Sequence, residues 1–203
     1  MTDSEKQTEE KIFDAATTEF IEEGMAGARM QNIADRAGIN KALLHYYFRT
    51  KEHLFEAVFT FVAQKLFAKF SPIFDETLTL KEKIRFFYKE HISFLQENPK
   101  LAGFIICEIN RKPERIKKIL ASVDFEKYLS EIFAHHSDEL KQYNINKDNL
   151  PQIMTSIISL SVFPFAAKGI LETIFSKIGV DYNNYIEERK EFAADFVLKA
   201  LTR

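Results

Sequence analysis

Apolar residues return every three to four positions along almost the whole of this 203-residue chain, and that period admits one class of fold. Ile12, Phe13, Ala16, Phe20 and Ile21 share one helical stripe, as do Leu54, Phe55, Val58, Val62, Leu66 and Phe70, and later Ile84, Phe87, His91, Phe94 and Leu95. Nothing convincing alternates with the period of two that a strand needs. Six Gly and five Pro leave little material for hairpins or tight loops. The expectation is an all-α protein of about nine helices.

The helix boundaries follow from local chemistry. The first helix starts near Thr2 or Ser4 and ends at Gly24. Met30 to Ala37 forms a short helix, Gly38-Ile39-Asn40 a turn, and Lys41 to Phe48 a second short helix. Thr50 caps a long helix that approaches Pro72. Thr79 and Glu82 have capping-box spacing, and Asn98-Pro99 closes the helix they open. Leu101 to Ile109 follows, then a looser run through Ile116, Ile119, Leu120, Val123, Leu129, Ile132 and Phe133. Leu150 to Lys177 reads as one buried helix kinked at Pro164, and Ile186 to Leu201 as an amphipathic terminal helix. The composition changes near residue 60, inside the long helix.

Charge and composition exclude several classes. Twenty-eight basic against thirty acidic residues give a net charge of −2, so no global basicity marks a nucleic-acid binder, although a local patch is allowed. One cysteine excludes an internal disulfide and a CxxC site. The uncharged run from Leu150 to Ala167 holds Gln152, Thr155, three serines and two prolines, which suits a helix buried in protein better than a membrane span. With a polar, acidic start and no secretory signal, the expected location is cytoplasmic.

The charges are unevenly placed. Residues 1–23 carry Lys6 and Lys11 against eight acids, whereas residues 29–53 carry Arg29, Arg36, Lys41, Arg49 and Lys51 against Asp35 and Glu52. Two solvated faces would account for this on charge alone. The packing residues add more: Ile33-Ala34, Ala37-Gly38-Ile39 and Leu43-Leu44 have the arrangement of a helix-turn-helix, with Gly38 able to end the first helix and Asn40 to cap the second. Any helical hairpin can show a Gly-containing turn.

The composite string is more specific. Ile33-Ala-Asp-Arg-Ala-Gly-Ile-Asn-Lys-Ala-Leu-Leu-His-Tyr-Tyr-Phe48, followed by Arg49-Thr-Lys-Glu-His-Leu-Phe55, resembles the signature of the TetR family of transcriptional regulators. Ile12-Phe-Asp-Ala-Ala16 and Phe20 to Gly24 are similar to that family's first helix, and Phe163-Pro164-Phe165 resembles a segment of its penultimate helix. The resemblance implies a three-helix DNA-binding domain over residues 5–65 and a helical ligand-sensing and dimerisation domain over residues 66–203. It implies a homodimer on double-stranded palindromic operator DNA, controlled by an apolar small-molecule effector; from the residues themselves no cofactor and no metal are expected.

The same resemblance carries roles to individual positions. Lys41, Tyr47 and Lys51 align with phosphate contacts, while Ala42, Leu43, His45 and Tyr46 lie on or near the recognition helix. Where hydroxyl residues often begin the second helix this chain has Ala28 and Arg29, which makes Arg29 a substitute phosphate donor; Ala42 replaces a frequent Gly. His45 suits a base contact, a phosphate contact or plain exposure; Tyr46 and Phe48 also suit the core of the three-helix unit, and for Phe48 core is the favoured reading.

Most of the 20 Phe residues follow residue 50. Phe87, His91, Phe94, Phe104, Cys107, Glu108, Met154 and Phe163 combine aromatic bulk with isolated polar groups, the composition of a pocket for an apolar small molecule, though aromatics at this spacing also suit ordinary core. Phe165, Ile186, Phe192, Phe196 and Ala200, on the last two helices, are the expected dimer interface. Two other functions compete. An enzyme would rest on His135-His136 with Asp138 and Glu139, or on Cys107 with a remote His, yet no third ligand is spaced for a metal and no catalytic motif is present. A helical adaptor without DNA binding would leave Lys41, Tyr47 and Lys51 unexplained. A ligand-responsive repressor fits best, and no catalytic residue is assigned.

Overall fold

The computed structural model describes residues 3–69, 71–114, 117 and 125–202. Thr2, Phe70, Ile116, Ile119, Leu120 and Val123, all placed on helices above, lie outside the described residues, as does the side chain of Leu66. Among the described residues the chain is helical throughout, with eleven α-helices and no strand. It divides into two compact units, Met1–Ala68 and Lys69–Arg203.

The first unit contains α1 (Asp3–Gly27), α2 (Met30–Ala37), α3 (Lys41–Tyr47) and the start of α4 (Lys51–Lys69). Gly24 takes φ 67°, ψ 171°, a conformation that L side chains rarely adopt, and interrupts α1 where the sequence places its end. Ile12, Ala16 and Phe20 of α1 close over Ile33 and Ala34 of α2, Leu44 of α3, and Leu54 and Phe55 of α4, all within 1% of complete burial. The Phe20 and Phe55 rings meet edge to face at 4.9 Å. Phe48 is buried too, which settles it as core.

The second unit begins with a 3-10 turn, Ser71–Phe74, and continues through α5 (Leu80–Glu97), α6 (Leu101–Arg111), α7 (Phe125–His135), α8 (Ser137–Gln142), α9 (Leu150–Ala166), α10 (Lys168–Lys177) and α11 (Tyr182–Leu201). The capping box is formed: the Thr79 N–H donates to Glu82 at 2.8 Å, and the Glu82 N–H donates to the Thr79 hydroxyl at 3.2 Å. Tyr88, Ile92 and Leu95 of α5 pack with Ile186, Ala193, Ala194 and Val197 of α11 and Phe165 of α9. The small Ala193-Ala194 pair allows close approach of helix to helix.

Phe192 and Phe196 of α11, expected at a dimer interface, are 59% and 55% exposed on the single chain. One expectation is corrected here. The single helix from Leu150 to Lys177 is in fact two helices, bent by 74° and parted at Ala167. Pro164 has no N–H to give the Leu160 carbonyl, and the break removes the helical donor for the carbonyl of Pro164. Both orphaned acceptors are satisfied from α11: Arg189 Nε donates to the Leu160 carbonyl at 3.2 Å, and the Tyr182 hydroxyl to the Pro164 carbonyl at 2.9 Å. Burial pushes the Tyr182 phenol up to about 12, so it stays a donor at every ordinary pH. Among the described residues no single helix is long and apolar enough to cross a membrane.

Candidate nucleic-acid interface

The turn between α2 and α3 is built by three residues. Gly38 takes φ 67°, ψ 30°, and the N–H groups of Gly38 and Ile39 close on the carbonyls of Asp35 and Ala34 at 3.2 and 3.0 Å. Two residues later the Asn40 side chain accepts from the Leu43 N–H at 2.7 Å and starts α3. Leu44 is the buried anchor of α3, and Leu43 is half-buried. The opposite face presents Lys41, Ala42, His45 and Tyr46, the last 82% exposed. A large aromatic held so far into solvent is available to stack on or contact a partner.

Tyr47 is half-buried and meets Tyr46 edge to face at 5.7 Å. His45 Nδ1 lies 3.3 Å from the Arg49 carbonyl. Arg29 is exposed at the cap position of α2. Lys51 has a structural engagement that the sequence did not reveal: its ammonium donates to the carbonyls of Ala26 and Ala28 at 3.1 and 3.0 Å, tying α4 to the end of α1 and the loop before α2.

Sequence reasoning also missed Glu19, 1% exposed within α1. It accepts from the Arg29 N–H at 3.2 Å and from Asn32 Nδ2 at 2.9 Å, and pairs with Arg36 Nε at 3.4 Å. Arg36 reaches on to Glu22 at 2.7 Å. The available signal was position: Glu19 falls three residues after Ala16 and seven after Ile12, on the apolar face.

The residues expected to line a pocket are dispersed. His91 and Glu108 are buried, while Phe87, Phe94, Phe104 and Met154 are half-buried. Cys107 and Phe163 are exposed, because their positions on α6 and α9 face away from the buried stripes, and they line no interior. Glu108 lies 3.6 Å from Arg111 Nη1. The structure brings Phe87 and His91 together as stacked rings 5.0 Å apart, and His91 Nδ1 lies 2.9 Å from the Ser161 hydroxyl, which itself donates to the Ile158 carbonyl. Burial depresses the His91 pKa to about 4, so the ring is neutral at pH 7. Of the residues expected at a dimer interface, Phe192, Phe196 and Ala200 are exposed, whereas Phe165 and Ile186 are enclosed in this chain's own core. Among the described residues no cluster of His, Cys, Asp or Glu could hold a metal ion.

A capped, solvent-facing second helix, set by a tight left-handed turn on a three-helix support, defines a helix-turn-helix regulator that binds DNA. Residues 12–58 match the family model described as bacterial regulatory proteins, tetR family. The chain is 24% identical over 163 residues to "Probable HTH-type transcriptional regulator YttP" of Bacillus subtilis, spanning 78% of this chain and 77% of that one. Over 51 residues it is 45% identical to the HTH-type transcriptional repressor SCO4008 of Streptomyces coelicolor, covering 25% of this chain and 27% of the other. In fold it matches the transcriptional regulator FadR of Bacillus subtilis, solved in complex with stearoyl-CoA, with a TM-score of 0.63 at 18% identity over 91% of this chain and 96% of that one. Residues 12–58 thus carry the helix-turn-helix domain of the bacterial tetR family of regulatory proteins, and the fold of the chain is that of solved regulators with this domain.

Proposed function

We propose that this regulator is a cytoplasmic, ligand-responsive repressor that binds a palindromic operator as a homodimer. The observation that carries the reading is the exposed face of α3, where Lys41, Ala42, His45 and Tyr46 stand on a helix anchored by the buried Leu44. Lys41 suits a phosphate; Ala42 and His45 suit base edges and thymine methyls in the major groove. Dimerisation is supported by the apolar side chains left uncovered on α10, on its C-cap residue and on α11: Ile170, Ile174, Ile178, Phe192 and Phe196. The effector is an apolar small molecule carrying one polar or cationic group, taken up in the second unit, where polar His91 and Glu108 sit among half-buried aromatics. FadR, which shares the fold, was solved with an acyl-CoA, and this supports an apolar effector here.

Selection of bound fragments from a random duplex library tests the DNA reading directly. The expected product is a symmetric site with half-site centres about 34–36 Å apart, or further apart in register with the helical turn. Recovery of a single asymmetric half-site occupied by one chain would overturn the dimeric reading. A thermal-shift screen of apolar amines, acids and aromatic compounds, followed by operator competition, tests the effector. A compound that stabilises the chain strongly yet leaves operator affinity unchanged would remove the coupling between ligand and DNA.

A further inference from the structure

The start of α2 lacks its own cap. Arg29 occupies the cap position with extended backbone (φ −119°, ψ 130°), its side chain makes no capping hydrogen bond, and the first turn contains no acidic residue. In a capping box the third helical residue is an acid that accepts the N–H of the cap residue and also complements the positive end of the helix dipole. Here that third residue is Asn32, whose amide is a donor, and the acid comes from another helix. Glu19 of α1 accepts both the Arg29 N–H and Asn32 Nδ2, and pairs with Arg36 in the last turn of α2. Lys51 holds the same connection from the other side through the carbonyls of Ala26 and Ala28. One buried carboxylate therefore supplies a missing cap and fixes the backbone of Arg29.

We propose that Glu19 is a positioning residue for DNA binding: by capping α2 from outside, it leaves the cap position to a cation, and it holds Arg29 where that cation meets a DNA phosphate. A Ser or Thr at position 29 would cap α2 locally but would place no charge there. The proposal rests on α2 and α3 being the DNA-reading pair, and it assigns to α1 a role that no side chain of α1 performs by touching DNA.

The test uses the full chain and four variants: Glu19→Gln, Glu19→Leu, Arg29→Ser and the Glu19→Leu/Arg29→Ser double. Each is titrated with a random-sequence 30-base-pair duplex across a salt series, and each is melted by circular dichroism. Arg29→Ser lowers the salt slope by about one unit per bound chain and does not lower Tm. Glu19→Leu lowers Tm by about 5 °C and lowers the salt slope by the same amount as Arg29→Ser, although Arg29 is still present. The double variant loses no further slope, because the two residues act as one unit, and it regains part of the lost Tm through the Ser hydroxyl. Glu19→Gln keeps the acceptor and keeps the slope. A Glu19→Leu variant with lowered Tm and an unchanged slope overturns the proposal, since Glu19 would then be merely structural. So do slope losses that add in the double. Wild-type chain that binds no duplex at low salt overturns the DNA reading itself, and with it the role of Arg29.

Discussion

Removing the titration of His91 should flatten the acid side of this protein's stability curve. The ring lies between Phe87 and the Ser161 hydroxyl, and burial holds its pKa near 4 against an ordinary 6.5. The depressed value fixes the sign. Above pH 6.5 both folded and unfolded chains carry a neutral ring, and the full stability is present. As pH falls below 6.5 the unfolded chain takes up a proton that the folded one refuses, so stability is lost until the folded ring also protonates near pH 4. Each pH unit in that window removes about 1.4 kcal/mol, or about 2 kcal/mol between pH 6.5 and 5.0. The assay is urea unfolding followed by circular dichroism at pH 7.5 and 5.0, for wild type and for His91→Gln. Glutamine retains a donor for Ser161 and has no proton to gain. Wild type should lose about 2 kcal/mol more than the variant over this interval. Parallel losses in the two proteins would show that the His91 site accommodates the charged ring, and would refute the argument.

Phe196 is more than half exposed on the single chain, so Phe196→Glu should fold normally, yet it should sediment as a monomer and lose operator binding; a variant that stays dimeric moves the interface elsewhere. Lys41→Ala should weaken binding to all duplexes alike and reduce the salt slope by about one unit per chain, whereas His45→Ala should change which operators are preferred in a selection. Lys51→Ala should lower the folding stability of the first unit by about 2 kcal/mol through the carbonyls of Ala26 and Ala28, which denaturant titration of the variant would detect and which Lys41→Ala should not reproduce.

Local chemistry was the most legible part of this sequence. The interruption at Gly24, the turn at Gly38, the caps at Asn40 and Thr79, and the closing Asn98 all depend on a few neighbouring residues, so composition and spacing suffice to place them. The sequence pattern failed where a distant helix decides the outcome. Phe165 and Ile186 read as interface residues from sequence, but both are enclosed in the core that α5 forms with α9 and α11. Pro164 announces a kink, but no local signal gives a 74° break, because its two stranded carbonyls find donors only on α11. Within the reading unit, the placement of Lys41 and Ala42 on the exposed face of α3 was legible, whereas Tyr46 suited core as well as surface until the structure showed it exposed. The engagements of Lys51 and Glu19 were not, since each joins residues more than nine positions apart.

The bond from Arg189 to Leu160 also makes folding of the second unit wait on synthesis of its last helix. A ribosome completes α5 at Glu97, 96 residues before Ala193 of the seam that covers it, and makes the Pro164 break before Tyr182 and Arg189 exist to close it. Until α11 emerges, Tyr88 and Ile92 have no lid, and the carbonyls of Leu160 and Pro164 must be served by water. The first unit, whose core is assembled from residues 12 to 59, is under no such constraint and can close while the second is still being translated. During that interval the nascent chain presents a finished DNA-reading surface attached to an unfinished, Phe-rich remainder. A chaperone that recognises apolar chain would therefore find its target in α5 and α9, and would be released by the arrival of α11.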